Sequence, residues 1–348
     1  MADTRVEAHA LRDFTQEIFT RVGVPAADAA IQADVLVWAN LRGVDSHGVL
    51  RIPWYVELVD TGLMKPRPNI QVLMETSATL LVEADYAPGP VVTTRVAERV
   101  IGKAKEAGIC WALIRNTTHQ GALGYYTQLI ARQGMAGIAI VVSPPNMAPH
   151  GAKAPGLHNA PISIAVPAGR RPALLLDMAT SIAAGGKLQL AKDKGTPIPP
   201  GWALDKQGNP TTDAQQASIL LPFAGPKGSG LAFMFECLCG LMADNPLAAP
   251  MLHGRETVRR HRQNGVVAAI DIGRFLDPDR YRGHADDLVE GIKALPKADG
   301  VEEILVPGEL EAKIEEERLA KGIPLPEGTI KRVGVVAERF GIRTPWEE

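Results

Sequence analysis

The stretch GVDSHGVLRIP brings Ser46, His47 and Arg51 close together in the chain. The planar guanidinium of an arginine can hold a carboxylate through two parallel charge-assisted hydrogen bonds. A histidine can act as an acid or a base near neutral pH, and Ser46 could orient its imidazole. Reduction of a 2-oxo acid needs these parts, namely a carboxylate clamp and a proton donor for the carbonyl oxygen. The alternative is purely structural, with Ser46 as a helix cap, His47 at the surface and a structural Arg51.

A second candidate group is RNTTHQGALGYY, in which His119 follows an apolar stretch and precedes a predicted helix. Ligands of α/β sheets are often held at such strand-to-helix loops. Gly121 and Gly124 would let the backbone approach a ligand closely. The alternative is that Thr117 or Thr118 caps the helix and His119 is merely exposed.

Two further segments carry polar groups next to apolar runs. In LLLDMATS, Asp177 ends a predicted buried strand and therefore needs a partner. That partner is either the N–H of a catalytic histidine or the start of the following segment. In LPFAGPKGSGLAF, glycines and Lys227 precede an apolar helix, which is an arrangement that can hold a phosphate. The loop is neither a P-loop nor a Rossmann fingerprint, and an ordinary glycine turn is the alternative.

Two other chemistries are not supported by the motifs. Ser46, His47 and Asp177 could be read as a hydrolase triad, but no G-x-S-x-G elbow exists in the chain. The histidines show no HExxH or other ligand spacing, so no metal site is predicted. His150 and His158, the only loop pair close in sequence, are interpreted as polar loop residues.

The composition is that of a soluble globular protein, with 46% apolar and 22% charged residues in a chain of 348. A net charge of −2 gives no reason to expect nucleic acid or an anionic membrane as a partner. The first residues lack the apolar core of a secretory signal, and the apolar run at 231–243 is too short to span a bilayer. Three cysteines form no disulfide framework. These features predict a cytoplasmic enzyme.

Hydrophobic periodicity predicts two helices at 8–21 and 26–41 and a third from Pro53 to about Asp60, so that the SHG segment lies between helices. Strands are predicted at 78–85, 109–116, 137–143, 161–168, 173–180 and 266–272, and further helices at 90–105, 121–133, 228–243 and from 309 onward. Strands that alternate with helices favour an α/β fold with a mixed sheet. The segments after residue 250 are expected to pack on the N-terminal helices.

Taken together, the motifs resemble the second type of the malate/L-lactate dehydrogenase family, whose relatives include ureidoglycolate, sulfolactate and diketogulonate dehydrogenases and cyclic-imine carboxylate reductases. The resemblance covers residues 41–325 in the family's order. It rests on the blocks GVDSHGVLRIPWYVE, NTTHQGALGYY, LDMATS, IPPGWALDKQGNPTTD, LLPFAGPKGSG and LVPGE.

The resemblance implies roles for individual residues. His47 would be the proton donor, with Ser46 and Asp177 as its relay partners, and Arg51 would clamp the substrate carboxylate. His119 matches a histidine that some members use as the acid/base itself, so it is a second candidate for catalysis and for substrate binding. Contacts to the nicotinamide dinucleotide would come from Gln120, Gly121, Ser143, Asp177, Met178, Ala179, Thr180, Ser181, Lys227, Pro307, Gly308 and Glu309.

The implied fold is not a Rossmann fold. A helical domain of residues 1–75, joined by residues 250–348, would pack on an α/β dinucleotide-binding domain of residues 76–249. The implied assembly is a homodimer with its site at the interface. The chain departs from the family pattern at 156–161, where His158 stands in a turn that is usually GTNP-like, and at Ser229, where an aromatic residue is usual.

The predicted function is hydride transfer between NAD or NADP and the α carbon of a 2-hydroxy or 2-oxo carboxylic acid. NAD is favoured because no arginine is identifiable as a partner for a 2′-phosphate. One alternative is a reductase of a cyclic imine such as piperideine-2-carboxylate, which needs the same clamp and donor. The other is a non-catalytic paralogue that binds a dinucleotide as a sensor.

Overall fold

The computed structural model describes residues 4–255 and 261–347, without the side chains of residues 189, 190, 193 and 194. Its helices are α1 (Ala8–Arg21), α2 (Ala26–Leu41), α3 (Ile52–Asp60), α4 (Gly89–Ala107), α5 (Gly124–Ala131), α6 (Gly185–Lys194), α7 (Pro226–Glu236), α8 (Ala248–Leu252), α9 (Pro278–Lys293), α10 (Glu309–Lys321) and α11 (Glu327–Phe340). Its strands are β1 (Thr4–Val6), β2 (Gln71–Glu75), β3 (Thr79–Glu83), β4 (Ile109–Thr117), β5 (Met135–Val142), β6 (Ile162–Val166), β7 (Leu174–Met178), β8 (Ala203–Leu204), β9 (Pro210–Thr211), β10 (Ile219–Leu220), β11 (Gln263–Asp271) and β12 (Ile323–Leu325).

The N-terminal helices form their own hydrophobic core. In α1, Leu11, Phe14 and Ile18 recur at helical spacing and are buried against α2 and α3. The C-terminal helix α11 and strand β12 complete this core, and β12 pairs antiparallel with β1. The predicted helices at 8–21 and 26–41 are confirmed with their predicted bounds.

The central element is a seven-stranded mixed sheet with the order β2-β3-β4-β11-β5-β6-β7. Only β3 and β4 pair in parallel, and α4 makes the crossover between them. The other neighbours pair antiparallel. A doubly wound dinucleotide fold would instead have an all-parallel core. The prediction of a mixed, non-Rossmann α/β fold is therefore confirmed.

Helices cover both faces of this sheet because its central strands are apolar on both sides. On β4, Cys110, Ala112 and Ile114 pack on the face that α4 and α5 cover. Leu113 lies on the opposite face, in a cluster with Phe235 of α7. This two-residue alternation explains why the sequence reads as a continuous apolar run here. Within the described residues, no helix is both long and apolar enough to cross a bilayer.

The position of β11 corrects one expectation from the sequence. Residues 250–348 are predicted to join the helical domain, but Gln263–Asp271 is a central strand between β4 and β5. The prediction is wrong for this strand because a two-sided apolar strand is most stable at the centre of a sheet. The later elements β12 and α11 contribute residues to the N-terminal core.

One tight contact ties the start of α4 to the loop that carries His119. A Cβ atom built on Gly89 would lie 2.2 Å from the His119 carbonyl oxygen. Only glycine permits this approach without movement of one of the two segments. The start of α4 therefore restricts the position of the His119 backbone.

We predict that Gly89→Ala lowers the free energy of unfolding by about 1–3 kcal/mol, because the added methyl group displaces the His119 loop. The matched control is Gly102→Ala on the same helix, where a Cβ atom meets no atom within 4 Å. That change should stabilise the protein by about 0.5–1 kcal/mol, since alanine is the better helix former. Urea unfolding of both variants tests this. Equal effects of the two substitutions would show that the contact at Gly89 is unimportant.

Candidate active site

The segment between α2 and α3 consists of two short 3-10 turns, Asp45–His47 and Val49–Arg51. The Asn40 side chain joins them, since its Nδ2 donates to Asp45 at 2.7 Å and its Oδ1 accepts the Val49 N–H at 2.8 Å. Arg318 of α10 donates to both carboxylate oxygens of Asp45 at 2.7 and 3.0 Å. This frame holds the backbone of the candidate residues in one geometry.

His47 is partly buried at the end of the first turn and lies beside Ser46. Its Nδ1 is 2.9 Å from the Ser46 hydroxyl oxygen, so the predicted pairing of these two residues is present. Burial, and secondarily the charge of Arg51, lowers the pKa of His47 to about 4. The ring is therefore neutral at pH 7 and can accept a proton.

Arg51 supplies a cation that forms no ion pair within the described residues. Its Nε donates to the Ser46 carbonyl at 2.7 Å, and its guanidinium lies 5.3 Å from the centre of the Trp54 ring. Within the described residues, its two terminal nitrogens form no hydrogen bond or ion pair. Arg51 is half-buried, and this burial lowers its pKa. An incoming carboxylate would satisfy both its charge and its free donors.

His119 lies beside His47, although it belongs to the loop between β4 and α5. Its ring stacks on that of His47, with centres 5.3 Å apart and planes 21° from parallel. The Tyr55 hydroxyl lies 2.6 Å from its Nδ1, and the Gly121 N–H donates to the same nitrogen at 3.3 Å. An amide N–H can only donate, so Nδ1 is an acceptor and the neutral ring carries its proton on Nε2.

Two features keep His119 in this state. Gly121 has φ +71°, a backbone conformation that residues other than glycine rarely adopt. This conformation directs its N–H at the His119 ring. Burial, followed by the charge of Arg51, holds the pKa of His119 well below its ordinary value. His119 therefore presents a fixed Nε2–H donor beside His47.

Asp177 does not form the predicted relay. Its carboxylate accepts the N–H of Gly124, the first residue of α5, at 2.7 Å. In the described part of the chain, no hydrogen bond joins it to Ser46 or His47. The relay prediction for Asp177 is wrong for this arrangement, because a helix N-terminus supplies the donor instead.

Three of the predicted cofactor segments are joined by backbone hydrogen bonds at β7 and just after it. The Thr180 carbonyl accepts the N–H of Phe223, which joins the strand end at 177–181 to the Lys227 loop. Leu175 of β7 donates its N–H to the Pro307 carbonyl at 3.1 Å, so the turn at 307–309 lies beside the same strand. These two hydrogen bonds connect the Lys227 loop and the turn at 307–309 to β7 and the residues just after it.

The predicted cofactor residues differ in the exposure and the internal contacts of their side chains. Lys227 is exposed, and Ser143 is buried with its hydroxyl 3.4 Å from the Arg262 carbonyl. Gln120 is buried and accepts from Thr93 at 2.9 Å, and Glu309 pairs with Lys293 at 2.6 Å. Gln120 and Glu309 thus hold internal contacts in this structure.

The structure also reveals site residues that the sequence analysis missed. Tyr55 follows Arg51 by one helical turn, so its spacing could have indicated a shared face. Trp54 packs edge-on against His119 with ring centres 5.3 Å apart. Arg318 is far from the motif in sequence, and no local signal could have found it. Among the described residues, no group of three or more potential ligands could hold a metal ion.

Comparison with known proteins agrees with this geometry. A family model described as malate/L-lactate dehydrogenase matches residues 6–334. A malate dehydrogenase from Pyrococcus horikoshii is 35% identical, over 97% of this chain and 96% of its own. A solved structure of malate dehydrogenase from Pyrococcus horikoshii superposes with a TM-score of 0.89 at 32% identity, over 99% and 98% of the two chains.

Two further relatives have other named substrates. An L-sulfolactate dehydrogenase from Methanocaldococcus jannaschii is 38% identical, over 85% of this chain and 86% of its own. The structure of the Δ1-piperideine-2-carboxylate reductase of Pseudomonas syringae has a TM-score of 0.82 at 27% identity, covering 96% and 99% of the chains. The chain belongs to the malate/L-lactate dehydrogenase family and is an oxidoreductase.

The buried neutral state of His47 predicts a pH dependence of stability. A histidine whose pKa is about 4 when folded and about 6.5 when unfolded takes up its proton first in the unfolded chain as the pH falls. The free energy of unfolding should therefore fall between about pH 6.5 and 4, by at most about 3 kcal/mol from this residue.

Urea unfolding between pH 7 and pH 4.5 measures this loss. His47→Gln should reduce the loss, whereas His284→Gln, a change at an exposed position on α9, should not. The same pH dependence in wild type and in His47→Gln would contradict a neutral, buried His47.

Proposed function

We propose that the protein transfers hydride between NAD and the α carbon of a 2-hydroxy or 2-oxo carboxylic acid. The observation that carries the proposal is the guanidinium of Arg51, whose terminal nitrogens have no partner among the described residues, beside two neutral imidazoles. The guanidinium would hold the substrate carboxylate through two parallel hydrogen bonds. The substrate oxygen on the adjacent carbon would then lie against His47 and His119.

The two histidines have different roles in this proposal. The Ser46 hydroxyl can donate or accept, so neutral His47 can carry its proton on either nitrogen. It can accept a second proton from a substrate hydroxyl and, once protonated, return that proton to a substrate carbonyl oxygen. His119 cannot do so readily, because the Gly121 N–H opposes a proton on its Nδ1. We therefore assign proton transfer to His47 and a hydrogen bond to the substrate oxygen to His119.

The dinucleotide would lie on the surface formed by Ser143, residues 177–181, Lys227 and residues 307–309, with Gln120 and Gly121 at its substrate end. One observation fits a polar ligand there, since the Thr180 hydroxyl is fully buried and has no hydrogen-bond partner in the described residues. A bound nicotinamide would supply or accept the hydride. The absence of an identifiable arginine for a 2′-phosphate is the reason for proposing NAD rather than NADP.

We also propose that the protein is a homodimer. Phe233 and Met234 lie on α7, and Leu241 and Met242 lie at the end of the π-helix Cys237–Leu241 that follows it. All four side chains are more than half exposed. Apolar side chains grouped in this way are typical of a surface that another molecule covers. Sedimentation velocity tests this, and a monomer at micromolar concentration would contradict it.

The activity itself is tested by nicotinamide absorbance with a panel that contains 2-oxo acids and cyclic imino acids, with both NADH and NADPH. We expect the 2-oxo acids to be reduced. Turnover of cyclic imines alone would favour the reductase alternative, which the piperideine-2-carboxylate reductase structure makes relevant. Cofactor binding without any turnover would favour the non-catalytic alternative.

We predict that His47→Gln lowers kcat by at least about 100-fold, because proton transfer by a positioned side chain contributes about 10²–10⁴-fold. The matched variant His119→Gln keeps an N–H donor and should lose only about tenfold. Cofactor affinity should change little in either variant. Near-normal turnover in His47→Gln, with the larger loss in His119→Gln, would move proton transfer to His119.

A further inference from the structure

The turn at 307–309, here called the cofactor turn, is the start of helix α10. Gly308 is the residue that precedes the first turn of this helix. The Pro307 carbonyl accepts the Leu175 N–H at 3.1 Å, and a Cβ atom built on Gly308 would lie 3.1 Å from the Leu175 backbone nitrogen. The cofactor turn therefore lies directly on β7, and the sheet fixes the beginning of α10.

The middle of α10 packs on the segment that carries the candidate catalytic residues, here called the substrate junction (residues 43–51). A Cβ atom built on Gly43 would lie 3.0 Å from the Ile314 Cδ1 atom, so the helix and the junction are in close contact. One helical turn later, Arg318 donates to both carboxylate oxygens of Asp45 at 2.7 and 3.0 Å. Ile314 and Arg318 are four residues apart and so share one face of α10. A single helix therefore connects the cofactor turn to the substrate junction.

Arg42 joins the same two segments by a second route. It follows the last residue of α2 and directly precedes the substrate junction, and it is only 2% exposed. Its Nη2 donates to the Gly308 carbonyl at 3.2 Å, and its Nη1 donates to Glu315 of α10 at 2.8 Å. The guanidinium also lies 5.5 Å from the centre of the Trp38 ring. These three contacts fix the orientation of one planar group, which bonds the cofactor turn from the start of the substrate junction.

The spacing of the two segments matters because hydride transfer depends on distance. The reacting atoms must come within about 3–3.5 Å of each other, and a misplacement of about 1 Å can lower a rate by about 100-fold. In the proposed site, the cofactor turn would contact the dinucleotide, and Arg51 of the substrate junction would hold the substrate. The spacing of these segments would therefore limit how closely the two reacting carbons approach.

We propose that Arg42 is a positioning residue, which holds the cofactor turn and the substrate junction at the spacing that hydride transfer requires. The inference rests on the proposed function. The buried Arg42 guanidinium would touch neither ligand, so it acts only through the two segments that it joins. Its replacement should slow hydride transfer and leave the affinity for each ligand almost unchanged.

The test is a single-turnover measurement of Arg42→Lys by stopped flow, with the reduced cofactor and the 2-oxo acid that wild type reduces fastest both saturating. Lysine keeps the charge beside Glu315 but cannot replace a planar group that bonds in two directions. We expect the rate constant of cofactor oxidation to fall at least about tenfold, and the half-saturating concentrations of cofactor and acid to change less than about threefold. Because this rate constant does not depend on the folded fraction of the protein, lower stability alone would not change it.

Arg5 provides a matched control at the other end of α10. It forms an ion pair with Glu317 at 3.0 Å and donates to the Gly322 carbonyl at 2.9 Å. Like Arg42, it bonds a glutamate of α10 and a glycine next to the helix, but this glycine follows the C-terminus of α10. Arg5→Lys should therefore keep the rate constant within about twofold of wild type.

Glu315→Gln is a milder change at the Arg42 contact. Glutamine keeps an acceptor for Arg42 but removes the charge, so the rate constant should fall by about threefold. This variant decides the question if Arg42→Lys does not fold. An unchanged rate constant in Glu315→Gln would then overturn the proposal.

Hydrogen exchange tests the positioning without any turnover. The amides of residues 308–312 and 43–47 should exchange at least about tenfold faster in Arg42→Lys than in wild type, because both segments lose the side chain that joins them. Arg5→Lys should leave both segments at the wild-type rate. If wild type reduces no acid of the panel, the proposed function fails separately, and this comparison alone decides the role of Arg42. Unchanged exchange in both segments would overturn that role.

Three kinetic results would also overturn the proposal. The first is a rate constant in Arg42→Lys that stays within about twofold of wild type. The second is an equal loss in Arg5→Lys, which would assign the effect to the stability of α10. The third is a loss confined to the affinity for one ligand, which would place Arg42 in the site of that ligand alone.

Discussion

The site depends on an arginine that is shielded from solvent but has no anionic partner among the described residues. Arg51 is kept in place by its Nε, which donates to the Ser46 carbonyl, and by the face of Trp54. A cation that has lost solvent raises the free energy of the chain until an anion approaches. Burial, and secondarily the same charge, keeps His47 and His119 neutral. Arg51 therefore contributes both to the demand for a carboxylate and to the neutral state of the two histidines.

Different hydrogen-bond partners give His47 and His119 different freedom to exchange a proton. The Ser46 hydroxyl can act as donor or acceptor, so it tolerates either form of His47. The Gly121 amide can only donate, and it fixes the tautomer of His119. The positive φ of Gly121 is thus a chemical requirement as well as a steric one. We therefore propose that His47 transfers a proton while His119 only donates a hydrogen bond.

The parts of the structure predictable from the sequence are those with local signals. The helices α1 and α2 and the mixed sheet follow from periodicity, and Ser46, His47, Arg51 and His119 converge as the motifs predict. The central place of β11 and the contact of Arg318 with Asp45 depend on pairing between distant segments. The Asp177 carboxylate accepts the N–H of Gly124 instead of forming the predicted relay. No sequence signal indicates this contact, because the two residues are distant in the chain.

The most direct test of this account is the affinity for the substrate carboxylate when the fork of Arg51 is replaced by a point charge. Steady-state kinetics of Arg51→Lys with a 2-oxo acid should show a KM raised at least about tenfold, because an ammonium cannot form the two parallel bonds. The KM for the cofactor should be unchanged. Arg339→Gln, which removes an exposed arginine paired with Asp60, is the matched control and should behave as wild type. A substrate KM that is unchanged in Arg51→Lys and also in Arg51→Gln would contradict the account.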